Sequence, residues 1–381
     1  MNRMVESGKT LLVDGPASVL VVSGRVEVFG FSVKDASRIV IREGKRLPFA
    51  VLETTNFDIS LGENASAEEI DGNTIPQSWI ESLGILGGFQ KKPVIAMVLG
   101  KVDSGKTSFC TYLINRLISE KQKVAILDGD LGQSDIGPPC TVAYAFVTKP
   151  VTDLYGLKAE NAFFVGVTSP SEAVNKTIKG IALMKAEILD KAADFVVVNT
   201  DGWVEGEEAV EYKSQLAEEL SPDVIFCVQQ KDELAPLLVA LEKFIKTTID
   251  SPLTVKQRST EKRRNLRELG YIKYLTDAKV KSLSLKLLTI EEQSVGLIRQ
   301  GEEEGLLLGL YDSQRKFLGI GILRKVDYVR KALKVLTSVS EKPLSITLGK
   351  VRLDENLKEV PTLLEENGMA RQASLKKLRL S

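Results

Sequence analysis

The chain has 381 residues, with 51 Lys and Arg against 51 Asp and Glu, and it contains no histidine. Two or three domains of roughly 100–200 residues each are expected at this length. The missing histidine excludes Ser-His-Asp and Cys-His triads, a histidine general base and histidine-containing metal sites, and the zero net charge excludes a uniformly basic nucleic-acid binder but not a local basic surface.

The first 75 residues predict a small β-rich domain. Ser23-Gly24 separates two β-branched-rich runs and predicts a two-residue hairpin turn. The polar stretch Gly62–Asn73 predicts a boundary linker, and Pro76 predicts the first turn of a short helix. The strand-like runs are Ser18–Val22, Arg25–Phe29, Ile39–Ile41 and Phe49–Thr55.

Residues 76–275 predict an α/β domain with a doubly wound, mostly parallel sheet. Buried-looking apolar runs alternate with helical patterns, which is typical of βαβ units, and ligands of such folds bind at the carboxyl ends of the strands. The predicted strands are Val94–Leu99, Val124–Leu127, Phe163–Val167, Phe195–Val198 and Val224–Val228. The predicted helices are Lys106–Ser119, Glu172–Lys191, Glu207–Glu219 and Glu233–Lys246.

A charge-rich segment at about residues 253–273 precedes a second β-rich domain, predicted for residues 276–381. Asp312-Ser313-Gln314 predicts a hairpin turn between two of its strands, and the last dozen residues predict a frayed basic tail. The predicted strands are Ser282–Leu288, Glu304–Tyr311, Phe317–Leu323 and Leu344–Leu353.

The cysteines and the apolar runs indicate the cellular compartment of the protein. Cys110, Cys140 and Cys227 have no C-x-x-C spacing and lie in apolar surroundings, which predicts buried free thiols in a reducing compartment. No uninterrupted apolar run approaches the ~20 residues of a membrane span, and the first ten residues lack an apolar signal core. We therefore expect no membrane span and no secretory signal.

The strongest motif is a phosphate-binding loop. Strand Val94–Leu99 runs directly into Gly100-Lys101-Val102-Asp103-Ser104-Gly105-Lys106-Thr107, which is G-x-x-x-x-G-K-T between a strand and a helix. Its backbone amides and the helix N-terminus favour phosphate, Lys106 neutralises the β- and γ-phosphates, and the Thr107 hydroxyl is expected to bind Mg²⁺. The α/β domain is therefore expected to be of the P-loop NTPase type, with nucleotide contacts from Gly100 to Ser108; the alternative is a Gly-rich turn without a ligand.

Two carboxylates follow the next strand. Asp128 and Asp130 are two residues apart in Asp128-Gly129-Asp130-Leu131-Gly132-Gln133, so both can reach the metal and phosphate region. One acid of this kind normally serves the Mg²⁺ shell, which leaves the second for the nucleophile. The alternative for one of them is a turn-forming Asp before Gly.

Three features favour a kinase over a hydrolase. Ser169, Pro170 and Glu172 predict a capped helix start that can bind a second anion, although a plain cap is an equal alternative. Trp203 follows Thr200-Asp201-Gly202 at a strand end and can stack on a base, against the alternative of core packing. The basic segment can act as a lid over the γ-phosphate or simply be a solvated helix; its members are Arg258, Lys262, Arg263, Arg264 and Arg267.

The end of the fifth predicted strand gives only a weak signal. Gln229-Gln230-Lys231-Asp232 departs at two positions from a guanine-reading N-K-x-D motif, so Asp232 is interpreted as a helix cap.

Taken together, these motifs resemble the polynucleotide 5′-hydroxyl kinases. That family includes the kinase subunit of the eukaryotic mRNA cleavage factor, the ribosomal-RNA processing kinase and archaeal homologues. The residues that carry the resemblance are Asp103 in the P-loop, the D-x-D-x-G-Q string from Asp128, the T-S-P-S string from Thr168, the T-x-G-W string from Thr200 and the Arg-rich lid. The flanking β-rich segments fit the family's small outer domains in outline.

The resemblance implies an ATP- and Mg²⁺-dependent transfer of the γ-phosphate to the 5′-hydroxyl of RNA, and often of DNA. It assigns the nucleotide to Lys106 and Thr107, orientation or deprotonation of the 5′-hydroxyl to Asp130, and metal support to Asp128, where some eukaryotic members have Glu. It assigns the acceptor to Gln133, Thr168, Ser169 and Trp203, and lid functions to Arg258, Arg263 and Arg267. It also implies a cytoplasmic enzyme that can recruit an RNA-processing partner through its outer domains.

Three other functions stay open from the sequence. They are an ATP-bound scaffold subunit of an RNA-processing complex with little or no turnover, a kinase of a small metabolite, and a regulatory NTPase.

Overall fold

The computed structural model describes residues 1–290 and 304–360. Within those residues the strands form three sheets of seven strands each. The chain divides into two compact units. The first comprises Met1–Gly137, Thr141–Phe163 and Ser169–Leu266, and the second comprises Pro138–Cys140, Phe164–Thr168 and the described residues from Arg267 onward.

The N-terminal sheet differs from its prediction at two places. Its strands are β1 Asn2–Val5, β2 Lys9–Asp14, β3 Ala17–Val28, β4 Phe31–Val33, β5 Arg38–Ile41, β6 Arg46–Leu61 and β7 Ser66–Asp71. The predicted hairpin at Ser23-Gly24 is wrong, because β3 continues through it with irregular register against β6, and Gly24 has φ +110°. The predicted linker is also wrong: β7 pairs with β2, and its charged composition is typical of an edge strand.

The central sheet is mostly parallel. Its strands are β8 Val94–Gly100, β9 Val124–Asp128, β10 Thr141–Val147, β11 Asn161–Phe164, β12 Phe195–Asn199, β13 Val224–Gln229 and β14 Lys246–Asp250. They lie in the order β11-β10-β9-β12-β8-β13-β14, with β9, β12, β8, β13 and β14 parallel and β10 antiparallel to β9. Every residue of β8, β9, β12 and β13 is buried, which explains why these strands are continuous apolar runs in the sequence.

The helices follow their predictions with two corrections. They are α1 Gln77–Gly87, α2 Lys106–Ser119, α3 Val174–Asp190, α4 Glu207–Leu220, α5 Ala235–Ala240 and α6 Thr260–Tyr274. The predicted helix Glu233–Lys246 is too long, since α5 is a short helix and the chain then enters β14. Asp232 does not cap α5 through its side chain; its backbone carbonyl accepts the amide of Ala235.

The third sheet lies in the C-terminal part of the chain. Its strands are β15 Lys279–Ser284, β16 Thr289–Ile290, β17 Leu306–Tyr311, β18 Phe317–Asp327, β19 Ala332–Thr337, β20 Ser345–Leu353 and β21 Glu359–Val360. The antiparallel pairing of β17 with β18 confirms the hairpin predicted at Asp312-Ser313-Gln314, whereas β19 is missing from the sequence prediction. The predicted basic tail lies outside the described residues.

Two predictions about surroundings can also be compared with the structure. Cys110, Cys140 and Cys227 are free and buried, as predicted. Among the described residues, no helix combines the length and the apolarity that crossing a membrane requires.

Candidate active site

The P-loop connects the end of β8 to the start of α2. Asp103 and Gly105 both have positive φ, at +55° and +95°, so the chain curls between strand and helix. Gly100 has no room for a side chain, because an added Cβ would lie 2.6 Å from the carbonyl oxygen of Val228. Ser104 Oγ is buried and has no hydrogen-bond partner among the described residues. A buried hydroxyl without a partner beside a curled, glycine-rich backbone fits an anion such as phosphate.

Lys106 is the buried cation of this loop. Its side chain is in the first turn of α2, and Nζ donates a hydrogen bond of 2.9 Å to the carbonyl of Lys101. Burial lowers the pKa of Lys106 below its usual value, while the nearby carboxylates of Asp130 and Asp201 act in the opposite direction. A triphosphate would supply further negative charge to this buried ammonium.

Asp128 ends β9 and is fully buried. It accepts hydrogen bonds from Asn199 Nδ2 at 3.0 Å and from the backbone amide of Asp135 at 2.8 Å. Burial, together with the charges of Asp135 and Asp130, raises the pKa of Asp128 to about 7. The carboxyl is therefore held in place by its neighbours, but it forms no ion pair with a cation among the described residues.

Asp130 lies two residues further on, in the loop after β9. Its Oδ1 accepts the amides of Gly132 at 3.1 Å and Gln133 at 3.0 Å. Burial raises the pKa of Asp130, whereas the charge of Lys106 lowers it. The electrostatic interaction of Asp130 with Lys106 brings the second predicted acid and the P-loop lysine into one site.

The donor atoms present here fit Mg²⁺. Carboxylate and hydroxyl oxygens are its preferred protein ligands, and Mg²⁺ is usually held by one or two carboxylates together with substrate phosphates. The described residues contain no group of three or more acidic or Cys side chains close enough to form a complete metal cage. A cation would also supply a counter-charge to Asp128.

Trp203 forms a platform at the end of β12. Its ring stacks on Tyr212 of α4, with centroids 5.6 Å apart and planes inclined by 21°. Asp201 joins the two residues, because Oδ1 accepts the backbone amide of Trp203 at 2.9 Å and Oδ2 accepts the hydroxyl of Tyr212 at 2.9 Å. Trp203 is half-buried, so it does not belong to the fully enclosed core.

Lys213 is a residue that the sequence reasoning missed. It is fully buried, and its Nζ donates to Asp201 Oδ2 at 2.7 Å and to the Asp201 carbonyl at 3.1 Å. The available signal was its position: Ala209, Lys213 and Leu216 share the apolar face of α4, where a lysine needs a partner. In this Asp201–Tyr212–Lys213 cluster, Lys213 and Tyr212 fix the carboxyl of Asp201, which binds the backbone amide of Trp203.

Two of the predicted lid arginines contact the P-loop. Asp103 forms ion pairs with Arg258 Nη1 at 3.6 Å and Arg263 Nη1 at 3.3 Å, and it accepts the amide of Arg258 at 2.8 Å. Gln133 Nε2 donates to the carbonyl of Arg263 at 3.0 Å. The loop after β9 and the P-loop therefore both contact this part of the basic segment.

The other predicted residues are placed differently. Ser169 makes no side-chain cap; its hydroxyl shares a 2.7 Å hydrogen bond with Ser171, and a single 3-10 turn, Pro170–Glu172, precedes α3. Arg267 forms a bidentate ion pair with Glu359 at 2.7 Å, within the second unit. Thr168, half-buried, also belongs to the second unit. The roles predicted for these three residues stay predictions.

The strand order, the P-loop and the acids after β9 define a P-loop NTPase-like nucleotide-binding protein. Residues 100–277 match the family model described as mRNA cleavage and polyadenylation factor CLP1 P-loop. The fold is similar to that of Clp1p in its complex with a Pcf11p fragment, with a TM-score of 0.73 at 15% identity, covering 92% of this chain and 97% of that one.

Sequence relatives narrow this class. The polyribonucleotide 5′-hydroxyl-kinase of Pyrococcus furiosus is 31% identical over 330 residues, covering 72% of this chain and 92% of the relative. The polyribonucleotide 5′-hydroxyl-kinase of Pyrococcus abyssi is 28% identical, and the match covers 79% of this chain and 99% of the relative. A CLP1 homolog of Brugia malayi is 25% identical, and the match covers 69% of this chain and 65% of the relative. The chain belongs to the polyribonucleotide 5′-hydroxyl-kinase family, which confirms the resemblance seen in its motifs.

Proposed function

We propose that this protein transfers the γ-phosphate of ATP to the 5′-hydroxyl end of RNA, with Mg²⁺, in RNA processing or repair. The observation that carries the proposal is the P-loop between β8 and α2, which holds a buried Lys106 and a buried Ser104 hydroxyl without a partner among the described residues. The charge interaction of Lys106 with Asp130, the second carboxyl after β9, supports it. A nucleotide site alone would need only the lysine, whereas transfer to an alcohol also needs an acceptor for the proton.

The roles proposed for the residues follow from their surroundings. Lys106 binds the β- and γ-phosphates, Thr107 and Asp128 hold Mg²⁺, and Asp130 orients the 5′-hydroxyl. Arg258 and Arg263, which lie against the P-loop residue Asp103, supply positive charge near the transferred group. Trp203 stacks on the terminal base. Bound Mg²⁺ would neutralise phosphate charge during transfer.

The proposed step is an in-line displacement. The 5′-oxygen forms a bond to the γ-phosphorus while the bond between that phosphorus and the β–γ bridging oxygen breaks, releasing ADP. The proton of the 5′-hydroxyl passes to the carboxylate of Asp130. Because the transition state of phosphoryl transfer is loose, positioning and charge neutralisation dominate, and no imidazole is required.

The proposal includes the doubly wound arrangement of the central sheet. Strands that are buried along their whole length, as β8, β9, β12 and β13 are, need cover on both faces. Helices on both faces would provide it.

The test is incubation of the protein with γ-labelled ATP, Mg²⁺ and a 5′-hydroxyl RNA oligonucleotide. We expect label at the RNA 5′ end with the wild type, no label with Lys106→Ala, and normal labelling with Lys191→Ala. Lys191 is a suitable control because its ion pair with Glu160 lies at the surface. Absence of label with the wild type at every Mg²⁺ concentration would contradict the proposal and favour a non-catalytic ATP-bound scaffold.

A further inference from the structure

A turn in the N-terminal sheet, residues 42–45, contacts two parts of the proposed active site. It connects β5 to β6 and lies more than fifty residues before the P-loop in the sequence. No motif in the sequence marks it. The turn contacts the loop after β9 and the basic segment.

The first contact fixes the acidic loop. Asp135 is almost fully buried and forms ion pairs with Arg42 Nη2 and, at 2.9 Å, with Lys45 Nζ. The backbone amide of the same Asp135 donates to Asp128 Oδ2 at 2.8 Å. Arg42 and Lys45 therefore hold the residue whose amide holds Asp128.

The second contact fixes the basic segment. The carbonyl of Gly44 accepts a hydrogen bond from Arg258 Nε at 3.2 Å, and Glu43 forms an ion pair with Lys262. Gly44 has φ +76°, and an added Cβ would lie 2.8 Å from Leu266 Cδ2. Leu266 therefore packs into the space that the missing side chain of Gly44 leaves.

We propose that the turn 42–45 is a positioning element for phosphoryl transfer, which sets Arg258 and Asp128 relative to each other without touching the reacting atoms. This inference rests on the proposed function. Both groups are anchored on one four-residue turn, so a shift of that turn moves a transition-state cation and a metal ligand. Misplacement by about 1 Å can cost as much as a hundredfold in rate.

The sharpest test compares Gly44→Ala with Gly8→Ala. Both glycines have positive φ, +76° and +87°, and both lie in turns of the same sheet, but nothing lies within 4 Å of a Cβ added to Gly8. Backbone strain is therefore matched, and only Gly44→Ala displaces Leu266. We expect kcat to fall about tenfold or more in Gly44→Ala, with the KM for ATP changed much less, and to stay near wild type in Gly8→Ala.

A second pair of variants tests the other contact. Lys45→Met removes one of the two cations on Asp135 and leaves Arg42 in place, so the fold should survive. Lys9→Met is its control, because Lys9 forms a similar ion pair of 2.8 Å with Glu69 inside the sheet. We expect a fall in kcat for Lys45→Met and none for Lys9→Met, with Lys45→Arg restoring the rate.

Limited trypsin digestion gives a readout that does not require activity. Gly44→Ala should speed cleavage at the basic segment, after Arg258, Lys262 or Arg263, relative to Gly8→Ala. Unchanged kcat and unchanged cleavage in Gly44→Ala beside an active wild type would overturn this inference and leave the proposed function standing. A wild type that transfers no label overturns the proposed function and, with it, the catalytic role of the turn.

Discussion

Asp128 and Asp130 are two residues apart, but their carboxyl groups have different surroundings. Asp128 uses both oxygens within the protein, for Asn199 and for the amides of Asp130 and Asp135. Asp130 uses Oδ1 for two amides, and among the described residues its Oδ2 accepts no hydrogen bond. The second oxygen of Asp130 is thus the one available to an incoming hydroxyl group.

The first prediction concerns Asp130→Asn. The amide oxygen can still accept the two backbone hydrogen bonds, so the loop should keep its shape while the proton acceptor is lost. We expect the single-turnover rate of RNA phosphorylation to fall by about 10²- to 10⁴-fold. A melting temperature near that of the wild type would confirm the fold, and a rate above a tenth of the wild-type rate would contradict the role of Asp130.

The second prediction concerns Trp203→Ala, which removes the platform but no group of the P-loop. Stacking on an aromatic ring is worth about 1–3 kcal/mol per base, so we expect the KM for RNA to rise by roughly 5- to 150-fold. The KM for ATP, measured in the same assay, should change little. A larger change for ATP than for RNA would mean that Trp203 has a packing role instead.

The sequence predicts the residues of a motif well, but it predicts poorly the residues that hold a site in place. The spacing of Gly100, Gly105, Lys106 and Thr107 determines a strand–loop–helix turn by itself, so the P-loop is predictable. Lys213 becomes relevant only because the chain folds Asp201 against α4. Contacts that form only in the folded chain leave no local sequence pattern, so the sequence does not predict the Asp201–Tyr212–Lys213 cluster.

Lys213 of helix α4 forms a buried ion pair with Asp201, and the contribution of this pair to the free energy of unfolding can be measured. Removing one partner of a buried pair leaves an unpaired buried charge, whereas removing both can be nearly neutral.

The third prediction therefore compares Lys213→Met with the double variant Lys213→Met/Asp201→Asn. We expect the single variant to lose about 3–5 kcal/mol of unfolding free energy in urea denaturation, and the double variant to regain most of that loss. Equal losses in both variants would show that the pair does not act as a unit.

A second ion pair joins two strands, because Asp14 of β2 binds Arg46 of β6. Asp14 accepts two hydrogen bonds of 2.9 Å from Arg46 and one of 3.1 Å from Lys256. Burial alone would raise the pKa of Asp14, but the hydrogen bonds from Arg46 and Lys256 outweigh it and lower the pKa from 3.8 to about 2. The stability that Asp14 contributes is thus present above pH 4 and is lost as the pH falls towards 2.

The fourth prediction follows from this window. Between about pH 4 and pH 2 the wild type should lose stability more steeply than Asp14→Asn, whose side chain does not titrate there. Urea denaturation at several pH values measures the difference. Parallel pH dependence of the two proteins would contradict the assignment.

The sequence predicts four fully buried strands of the central sheet, but it misses β10, although nearly all of that strand is buried, and it misreads β3 and β7. The strands β8, β9, β12 and β13 are continuous apolar runs that need no context. By contrast, β7 is polar, and β3 passes through a serine and a glycine that usually make a turn. Pairing with neighbours distant in the sequence overrides these local signals.

For the molecule as a whole, the equal numbers of acidic and basic residues bear on how it would bind the proposed RNA substrate. The basic residues of the lid are largely engaged with acids of the same chain, as Arg258 and Arg263 are with Asp103. Among the described residues of the lid, few cations are therefore left to contact a long RNA backbone, and we expect binding to depend on the RNA end.

The fifth prediction is a shallow salt dependence of RNA binding. If about two phosphates are neutralised, the slope of log K against log salt concentration should be about −1.4 for a single strand. Fluorescence anisotropy of a labelled 5′-hydroxyl RNA between low and moderate KCl measures this slope. A steep slope would indicate binding along the RNA backbone and contradict recognition of the end.

The stacked pair of Trp203 and Tyr212 has an optical consequence. The chain contains two tryptophans, and the other, Trp79, is fully buried against Phe109 and Tyr112. A quencher added to the solvent reaches Trp203 far more easily than Trp79, so the quenchable part of the intrinsic fluorescence belongs to Trp203. Protection from acrylamide quenching on addition of RNA therefore reports occupancy of this platform in the unlabelled wild-type protein.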